Sequence, residues 1–211
     1  MSVKHLIFDI DGTIWDTTPL VAEAYNDAVE EAIGERPVIT ADVLREQFGK
    51  PMMVIAENLF PGRSTEEHRR IVDLCGVHEA RVLRGTTEDL TYPGLRDAFR
   101  ELTEMGCRVY IVSNCQVGYI ELCMEKNGLE PYVTDHLCHG ETGRSKGENI
   151  RELMRRNGIE EAVYVGDTMG DCEAAAEAGV PFWHACYGFG DAPGAVQLES
   201  PAQIVETVRQ S

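Results

Sequence analysis

The chain has 211 residues, of which 43% are hydrophobic and 26% charged, so it suits one globular domain, or one domain with a sizeable insertion, and neither a disordered nor a fibrous protein. Its 19 Lys and Arg against 36 Asp and Glu give a formal net charge of −17 at pH 7, which repels nucleic acids and anionic membrane surfaces. We expect neither as a partner. A small anionic ligand is still compatible with this net charge, because a local cluster of cations outweighs more distant charges within about 8 Å.

The seven cysteines are scattered along the chain, and no two form a C-x-x-C pair. This pattern argues against a disulfide framework and against a zinc site. The amino-terminal apolar stretch is too short for a signal sequence, and no run approaches the roughly 18 apolar residues of a membrane-spanning helix. We therefore expect a cytoplasmic protein, either a monomer or a homodimer.

Short apolar runs recur along the chain, each too short for a helix. They are Leu6–Phe8, Val109–Val112, Ala162–Val165 and Val180–Trp183. Such runs are typical of buried parallel strands. Amphipathic segments that end at Gly106 and Gly128 lie between the later runs and are typical of helices. The alternation predicts an α/β fold.

The stretch from residue 16 to residue 89 breaks this alternation, because it offers helices only. A first helix is predicted to begin at Thr18, and a second to run from Thr40 to Phe48. The capping-box spacing of Ser64–Glu67 predicts the start of a third. The domains we predict are an α/β core formed by 1–15 and 90–211, and a helical cap at 16–89.

Polar residues follow three of the predicted strands. They are Asp9 and Asp11 after the first run, Ser113 and Asn114 after the second, and Asp167 and Asp171 after the third. Because the carboxyl ends of parallel strands meet at one sheet edge, we expect these side chains to lie together. Carboxylates suit Mg²⁺, and hydroxyl, amide and backbone N–H groups suit phosphate oxygens. Lys146, ahead of the third run, would balance the charge.

Each of these residues alone has an ordinary structural explanation. Lys146 would be a surface lysine, Ser113 a helix cap, and Asp171 a charge at a helix start worth about 0.3–1 kcal/mol. Taken together, those explanations require independent coincidences at successive strand ends. The pattern therefore favours a single functional site.

In this order the residues resemble the signature of the haloacid dehalogenase superfamily. Its D-x-D-G-T motif matches Asp9–Thr13, its Ser or Thr matches Ser113, its Lys matches Lys146, and its G-D-x-x-x-D motif matches Gly166–Asp171. A helical insertion straight after the first motif is similar to the phosphoglycolate phosphatase and β-phosphoglucomutase branch. The resemblance spans nearly the whole chain. It implies a Rossmann-like parallel sheet with an inserted α-helical cap, and a Mg²⁺-dependent phosphatase of a small phosphorylated metabolite.

The resemblance also implies a role for each residue. Asp9 would be the nucleophile that forms an aspartyl-phosphate, and Asp11 would protonate the leaving group and then activate water. Ser113 and the backbone around Asn114 would orient the phosphoryl oxygens. The implied metal ligands are Asp9, the carbonyl of Asp11, Asp167 and, at a greater distance, Asp171.

Lys50 is the only lysine of the predicted insertion and lies in Gly49-Lys50-Pro51, between two predicted helices. A similarly placed cap loop contacts substrate in the family that the chain resembles, so Lys50 is a candidate for binding a distal anionic group of the substrate. A solvated loop lysine is an equally good interpretation. Both stay open from the sequence.

Several other functions fit parts of this pattern. A sugar-phosphate mutase and a phosphonate hydrolase resemble the same core and stay open, because they differ mainly in the cap. A dehalogenase is disfavoured, since that branch lacks the second Asp, here Asp11. A non-enzymatic receiver-type phospho-acceptor is disfavoured because it is smaller and carries its phosphoryl group on an Asp of a later strand, whereas here the D-x-D motif opens the chain.

Overall fold

The computed structural model describes residues 3–193 and 196–211. Its strands form one parallel sheet of six in the order β3-β2-β1-β4-β5-β6. The strands are β1 (His5–Phe8), β2 (Arg108–Ser113), β3 (Val133–Cys138), β4 (Val163–Gly166), β5 (Phe182–Ala185) and β6 (Val196–Leu198). This order is that of a Rossmann-like doubly wound sheet, as the sequence predicts.

Ten helices within the described residues follow β1, most of them between one strand and the next. They are α1 (Thr18–Ile33), α2 (Ala41–Arg45), α3 (Met52–Leu59), α4 (Thr65–Gly85), α5 (Leu95–Glu104), α6 (Tyr119–Asn127), α7 (His139–Thr142), α8 (Lys146–Asn157), α9 (Met169–Ala178) and α10 (Pro201–Gln210). The first four follow one another between β1 and α5, so the stretch predicted to be helical is helical. Its status as a separate cap domain stays a prediction.

The sheet is buried on both faces, because successive side chains of a strand point in opposite directions. In β1, Leu6 and Phe8 pack in one apolar cluster with residues of α5, α6 and α10, whereas Ile7 packs in a second cluster with residues of α8 and α9. Helices therefore cover both faces of the sheet. This arrangement explains why the central strands are apolar without alternation.

The helical stretch carries the sequence signals that begin and end its helices. Pro19 lies in the first turn of α1, and Gly34 ends that helix with a left-handed φ of 75°. Ser64 and Glu67 form a complete capping box at the start of α4. The predicted helix at Thr40–Phe48 is regular only over α2, and turns continue from there to Gly49.

Two strands lie outside the sequence prediction, and both are edge strands of the sheet. β3 carries Thr134, Asp135 and His136 within six residues, and β6 has three residues only. An edge strand needs less apolar surface than a central one, so the apolar-run criterion passes over it. β5 begins at Phe182 rather than Val180.

β1 lies at the centre of the sheet, and this position decides where the functional residues meet. It pairs with β2 on one side and β4 on the other, so that Phe8 is in register with both Ile111 and Val165. The polar residues that follow these three strands consequently emerge side by side at one edge. None of the helices in residues 3–193 and 196–211 is both long and apolar enough to cross a membrane.

Candidate active site

Asp9 is the first residue after β1 and is completely buried. Its backbone N–H donates to the carbonyl of Val165 at 2.9 Å, which extends the β1–β4 pairing by one residue. Its Oδ1 accepts a hydrogen bond from Nζ of Lys146 at 2.9 Å, whereas its Oδ2 is buried with no hydrogen-bond partner. A buried carboxylate oxygen without a donor is costly, so this atom is expected to meet a ligand.

Lys146 is the first residue of α8, which begins at the capping box of Ser145 and Glu148. The side chain is buried, and its ammonium lies 2.6 Å from Oδ1 of Asp171 as well as against Asp9. Burial on its own lowers the pKa of Lys146, but the two carboxylates outweigh burial and raise it above the ordinary value. The lysine is therefore held in its charged form.

Asp167 and Asp171 lie close to Asp9, after the end of β4 and in the first turn of α9. Oδ1 of Asp167 accepts from the Thr13 hydroxyl at 3.2 Å, and its Oδ2 accepts from the backbone N–H of Phe189 at 2.8 Å. Oδ2 of Asp171 accepts from the backbone N–H and the hydroxyl of Thr168 at 3.0 and 2.7 Å. These bonds fix both carboxylates.

Two glycines allow the backbone to approach Asp167 closely. A Cβ added at Gly12, whose φ is 85°, would lie 2.0 Å from Oδ2 of Asp167, and one added at Gly188 would lie 2.2 Å from the Gly12 carbonyl oxygen. Any side chain at either position would displace the carboxylate or the loop. The Asp-Gly turn and the loop after β5 thus enclose one side of the acidic cluster.

The donor set fits a divalent cation. Asp9, Asp167 and Asp171 each offer one carboxylate oxygen, and these atoms lie within 4.8 Å of one another. Burial and the neighbouring carboxylate of Asp171 raise the pKa of both Asp9 and Asp167. Three buried carboxylates against the single ammonium of Lys146 leave an excess of negative charge, and hard oxygen ligands of this kind suit Mg²⁺. The carboxylate of Asp11 lies outside this cluster, so the predicted metal ligand from Asp11 is its backbone carbonyl.

Asp11 has a different environment from Asp9, although only one residue separates them. Its Oδ1 accepts from the Tyr119 hydroxyl at 2.7 Å and from Nε1 of Trp15 at 3.2 Å. Burial raises the pKa of Asp11 well above its ordinary value, and these two donors offset the rise only in part. This environment favours the protonated form of the carboxyl group over the carboxylate.

The other predicted contact residues meet at one cavity beside this cluster. Ser113 is the last residue of β2 and is buried. The side-chain amide of Asn114 donates to the Gly49 carbonyl at 2.8 Å, so it links the sheet edge to the helical stretch. Lys50 is exposed, and its Nζ donates to the Glu46 carbonyl at 2.8 Å and to Oε1 of Gln47 at 3.1 Å.

The cavity lies between the sheet edge and the helical stretch, and its empty volume is about 310 Å³ with open solvent at its mouth included. Its polar lining includes residues that the sequence interpretation missed, namely Tyr25, Glu79, Gln116 and Tyr119. In α4, Ile71, Cys75, Glu79 and Leu83 are buried at intervals of four residues. A charged residue within that buried stripe is a signal that the sequence contains.

A comparison with known proteins identifies the family. The family model described as haloacid dehalogenase-like hydrolase matches residues 3–179. The chain belongs to this family. It is accordingly a hydrolase, as the resemblance of its motifs implies.

Two relatives of the chain share one name. A phosphoglycolate phosphatase of Pseudomonas fluorescens is 26% identical over an alignment of 217 residues, gaps included. The alignment covers 98% of this chain and 78% of the relative. A phosphoglycolate phosphatase of Agrobacterium fabrum is 28% identical over 207 residues, which cover 94% of this chain and 86% of the relative.

Solved structures share the fold over its full length. The crystal structure of a predicted phosphoglycolate phosphatase from Haemophilus somnus superposes with a TM-score of 0.84 at 17% identity, covering 98% of both chains. A predicted phosphatase from Clostridium acetobutylicum superposes with a TM-score of 0.83 at 18% identity, covering 100% of both. At this identity the likeness establishes the fold alone.

Proposed function

We propose that the chain is a Mg²⁺-dependent phosphatase that hydrolyses a small phosphomonoester through an aspartyl-phosphate on Asp9. The observation that carries this proposal is the state of the Asp9 carboxylate, which is ion-paired through Oδ1 and free of donors at the buried Oδ2. The names of the relatives in Pseudomonas fluorescens and Agrobacterium fabrum support phosphomonoester chemistry.

Asp9 is the proposed nucleophile. One of its carboxylate oxygens attacks phosphorus, the bond between phosphorus and the leaving oxygen breaks, and the phosphoryl group is carried as an aspartyl-phosphate. Two anions must approach each other in this step, and the ammonium of Lys146 reduces their repulsion. Lys146 also holds Asp9 in one orientation, since Asp171 fixes the ammonium from the other side.

Asp11 is the proposed acid and base. It donates its proton to the leaving oxygen as that oxygen departs with the bonding electrons, so the product leaves as an alcohol. The resulting carboxylate then takes a proton from the water that attacks the aspartyl-phosphate, which frees phosphate and restores Asp9. The hydrogen bonds from Tyr119 and Trp15 orient Asp11 for both transfers.

The residues that would hold Mg²⁺ are Asp9, Asp167, the carbonyl of Asp11 and, more remotely, Asp171. When bound, the ion would neutralise the phosphoryl oxygens as negative charge develops on them. The Thr13 hydroxyl and the Phe189 N–H keep the Asp167 carboxylate in place, and Thr168 does the same for Asp171.

Ser113, the backbone around Asn114 and Lys50 are the proposed substrate contacts. The first two would orient the phosphoryl oxygens, and Lys50 would supply a cation at the cavity mouth. The small cavity favours a leaving group of a few carbon atoms. Residues 16–89 would act as the cap that excludes water from Asp9, and the bond between Asn114 and Gly49 is one contact that closes it.

A panel of phosphomonoesters assayed with and without Mg²⁺ tests the proposal. We expect hydrolysis of p-nitrophenyl phosphate that EDTA abolishes and Mg²⁺ restores. Equal rates in the metal-free and Mg²⁺-loaded protein would contradict the metal assignment. Turnover of a sugar phosphate to its isomer without phosphate release would favour the mutase, and a lysine adduct trapped by borohydride with an aldehyde substrate would favour the phosphonate hydrolase.

The compartment and the oligomeric state belong to the proposal as well. The seven cysteines are free thiols within the described residues, and we propose a reducing cytoplasm as their compartment. A monomer or a homodimer is expected, and sedimentation of the purified chain measures which form it adopts.

A further inference from the structure

Glu79 is a buried carboxylate that the mechanism above does not use. It lies in α4 of the helical stretch with 2% of its surface exposed. Its Oε1 accepts from the Tyr25 hydroxyl at 2.9 Å, and its Oε2 accepts from Nε2 of Gln116 at 2.6 Å. Gln116 follows β2, so the second bond joins the helical stretch to the sheet edge.

No cation balances this carboxylate. Within residues 3–193 and 196–211, the ion pairs of the structure do not include Glu79. Burial of a charge without a partner is costly, and the two neutral donors compensate for it only in part. The cost is consistent with a functional requirement at this position, because a glutamine or leucine would be cheaper to bury.

Glu79 faces the place where the leaving group would lie. It lines the same cavity as Ser113 and Asp11, which are assigned to the phosphoryl oxygens and to the leaving oxygen. It belongs to the helical stretch rather than the sheet edge, so it meets the part of the substrate that points away from Asp9. It is also close enough for its charge to raise the pKa of Asp11.

Four of the side-chain donors that line the cavity already have acceptors within the protein. The hydroxyl protons of Tyr25 and Tyr119 are directed at Glu79 and Asp11. The amide of Asn114 is bonded to Gly49, and the ammonium of Lys50 is bonded to its own turn. Glu79, by contrast, keeps acceptor capacity, because a carboxylate has about four lone-pair sites and two are in use.

We propose, on the basis of the phosphatase function above, that Glu79 recognises the leaving group, and that the substrate class is a phosphomonoester whose leaving group carries a hydroxyl or ammonium donor and no carboxylate. A hydroxyl or ammonium completes the hydrogen bonds of Glu79, and an ammonium also supplies the missing charge. A carboxylate in the same place meets Glu79 as a like charge. Glu79 is thus a specificity-determining residue, and it disfavours phosphoglycolate.

The experiment compares kcat/KM for ethanolamine phosphate, glycerol 3-phosphate and 2-phosphoglycolate, whose leaving groups carry an ammonium, hydroxyls and a carboxylate, respectively. The reference is p-nitrophenyl phosphate, whose leaving group carries none of these. In the wild-type chain at about pH 8, where Glu79 is ionised, we expect kcat/KM of the two donor-bearing esters to exceed that of phosphoglycolate at least about tenfold. In Glu79→Gln that ratio should fall about tenfold or more, because the like charge is gone and one acceptor is lost. The matched control is Asp73→Asn, which removes one exposed charge from the same helix and should leave the ratio unchanged.

The outcomes separate this inference from the function on which it rests. No hydrolysis of any ester, p-nitrophenyl phosphate included, overturns the phosphatase function and the inference with it. Hydrolysis of p-nitrophenyl phosphate with phosphoglycolate as the best of the three esters overturns the inference alone. If Lys50→Ala then abolishes that preference, Lys50 is the residue that binds a distal anionic group.

A second measurement covers the case in which Glu79→Gln does not fold. Dissociation constants of the same three esters for the Asp9→Asn variant with Mg²⁺ report binding without turnover. Tighter binding of the donor-bearing esters supports the proposal, and tighter binding of phosphoglycolate overturns it. A ratio in Glu79→Gln within twofold of the wild type, in a folded variant, also overturns it.

Discussion

Nζ of Lys146 lies 2.9 Å from Oδ1 of Asp9, and the other oxygen of that carboxylate is buried without a donor. The ion pair therefore fixes the Asp9 side chain while one of its oxygens stays available. Replacement of Asp9 by Asn keeps the shape of the side chain but removes the charge and most of its nucleophilicity. We expect kcat of Asp9→Asn to fall by about 10⁴-fold or more.

The assay for Asp9→Asn is phosphate release from p-nitrophenyl phosphate, and circular dichroism checks the fold. Asp73→Asn serves as the control, since Asp73 is exposed on α4. A kcat near the wild-type value in Asp9→Asn would remove Asp9 from the role of nucleophile.

Asp11→Asn should fail at a different step. An amide cannot donate a proton to an alkoxide, so kcat for an alkyl phosphate should fall about 10²–10⁴-fold. p-Nitrophenolate leaves without a proton, so aspartyl-phosphate should still form from p-nitrophenyl phosphate and then persist, because no base activates the water. Rapid mixing should show a burst of about one p-nitrophenolate per site followed by slow turnover. Equal slowing of both substrates without a burst would argue against the acid–base role.

Lys146→Ala should lower both stability and activity. It leaves Asp9 and Asp171 buried without their shared cation, and the loss of one partner of a buried ion pair costs about 3–5 kcal/mol. The free energy of unfolding in urea without Mg²⁺ measures this, with Lys4→Ala, an exposed lysine, as the control. Lys146→Arg restores the charge but not the shape, so we expect partial recovery of stability and less of kcat. Matching unfolding curves for Lys146→Ala and Lys4→Ala would contradict a stabilising role for the ion pairs of Lys146 with Asp9 and Asp171.

Mg²⁺ should stabilise the wild-type chain through the acidic cluster. Binding to the folded state alone adds about 2.7 kcal/mol at a concentration one hundred times Kd. Asp167→Asn removes one carboxylate from three that repel each other, so we expect a higher Tm without metal and a much smaller rise on addition of Mg²⁺. Thermal melts in EDTA and in Mg²⁺ measure both effects without reference to activity. An unchanged response to Mg²⁺ in Asp167→Asn would move the metal to other ligands.

The functional residues at the ends of the central strands were predictable from the sequence, because each of them is adjacent in the chain to an apolar run. Asp9, Ser113 and Asp167 each follow such a run, and the parallel pairing of β1 with β2 and β4 brings them together. Register in a buried sheet follows from the apolar pattern, so these positions needed no knowledge of packing.

The residues that line the other side of the cavity were not predictable in the same way. Glu79, Tyr25 and Tyr119 come from three different helices, and they meet only because α1 and α4 pack together over the sheet edge. The angle between packed helices depends on the detailed fit of side chains, which a periodicity pattern does not contain. The edge strands β3 and β6 were missed for a related reason, since their place in the sheet comes from pairing rather than from an apolar run.

Glu79 should make the stability of the chain fall as pH rises, and replacement by glutamine should remove this contribution. Burial raises the pKa of Glu79 to about 7 in the folded chain, and the hydrogen bonds from Tyr25 and Gln116 offset burial only in part. In the unfolded chain the pKa returns to the ordinary 4.5, so the folded state holds its proton more tightly. The resulting stabilisation is complete below about pH 4.5 and is lost as pH rises through about 7. The difference between the two pKa values corresponds to about 3 kcal/mol.

Glu79→Gln has no such proton to lose, so its free energy of unfolding relative to that of the wild type should grow from pH 5 to pH 8 by about 2.5 kcal/mol. Urea unfolding of both chains in EDTA across this range measures the difference, and EDTA keeps metal binding at Asp9 and Asp167 out of it. Asp73→Asn should run parallel to the wild type, since Asp73 is exposed. A gap between Glu79→Gln and the wild type that stays constant with pH would mean that Glu79 is already ionised at pH 5. Its carboxylate would then have a compensating partner, and the argument that it awaits a donor from the leaving group would lose its basis.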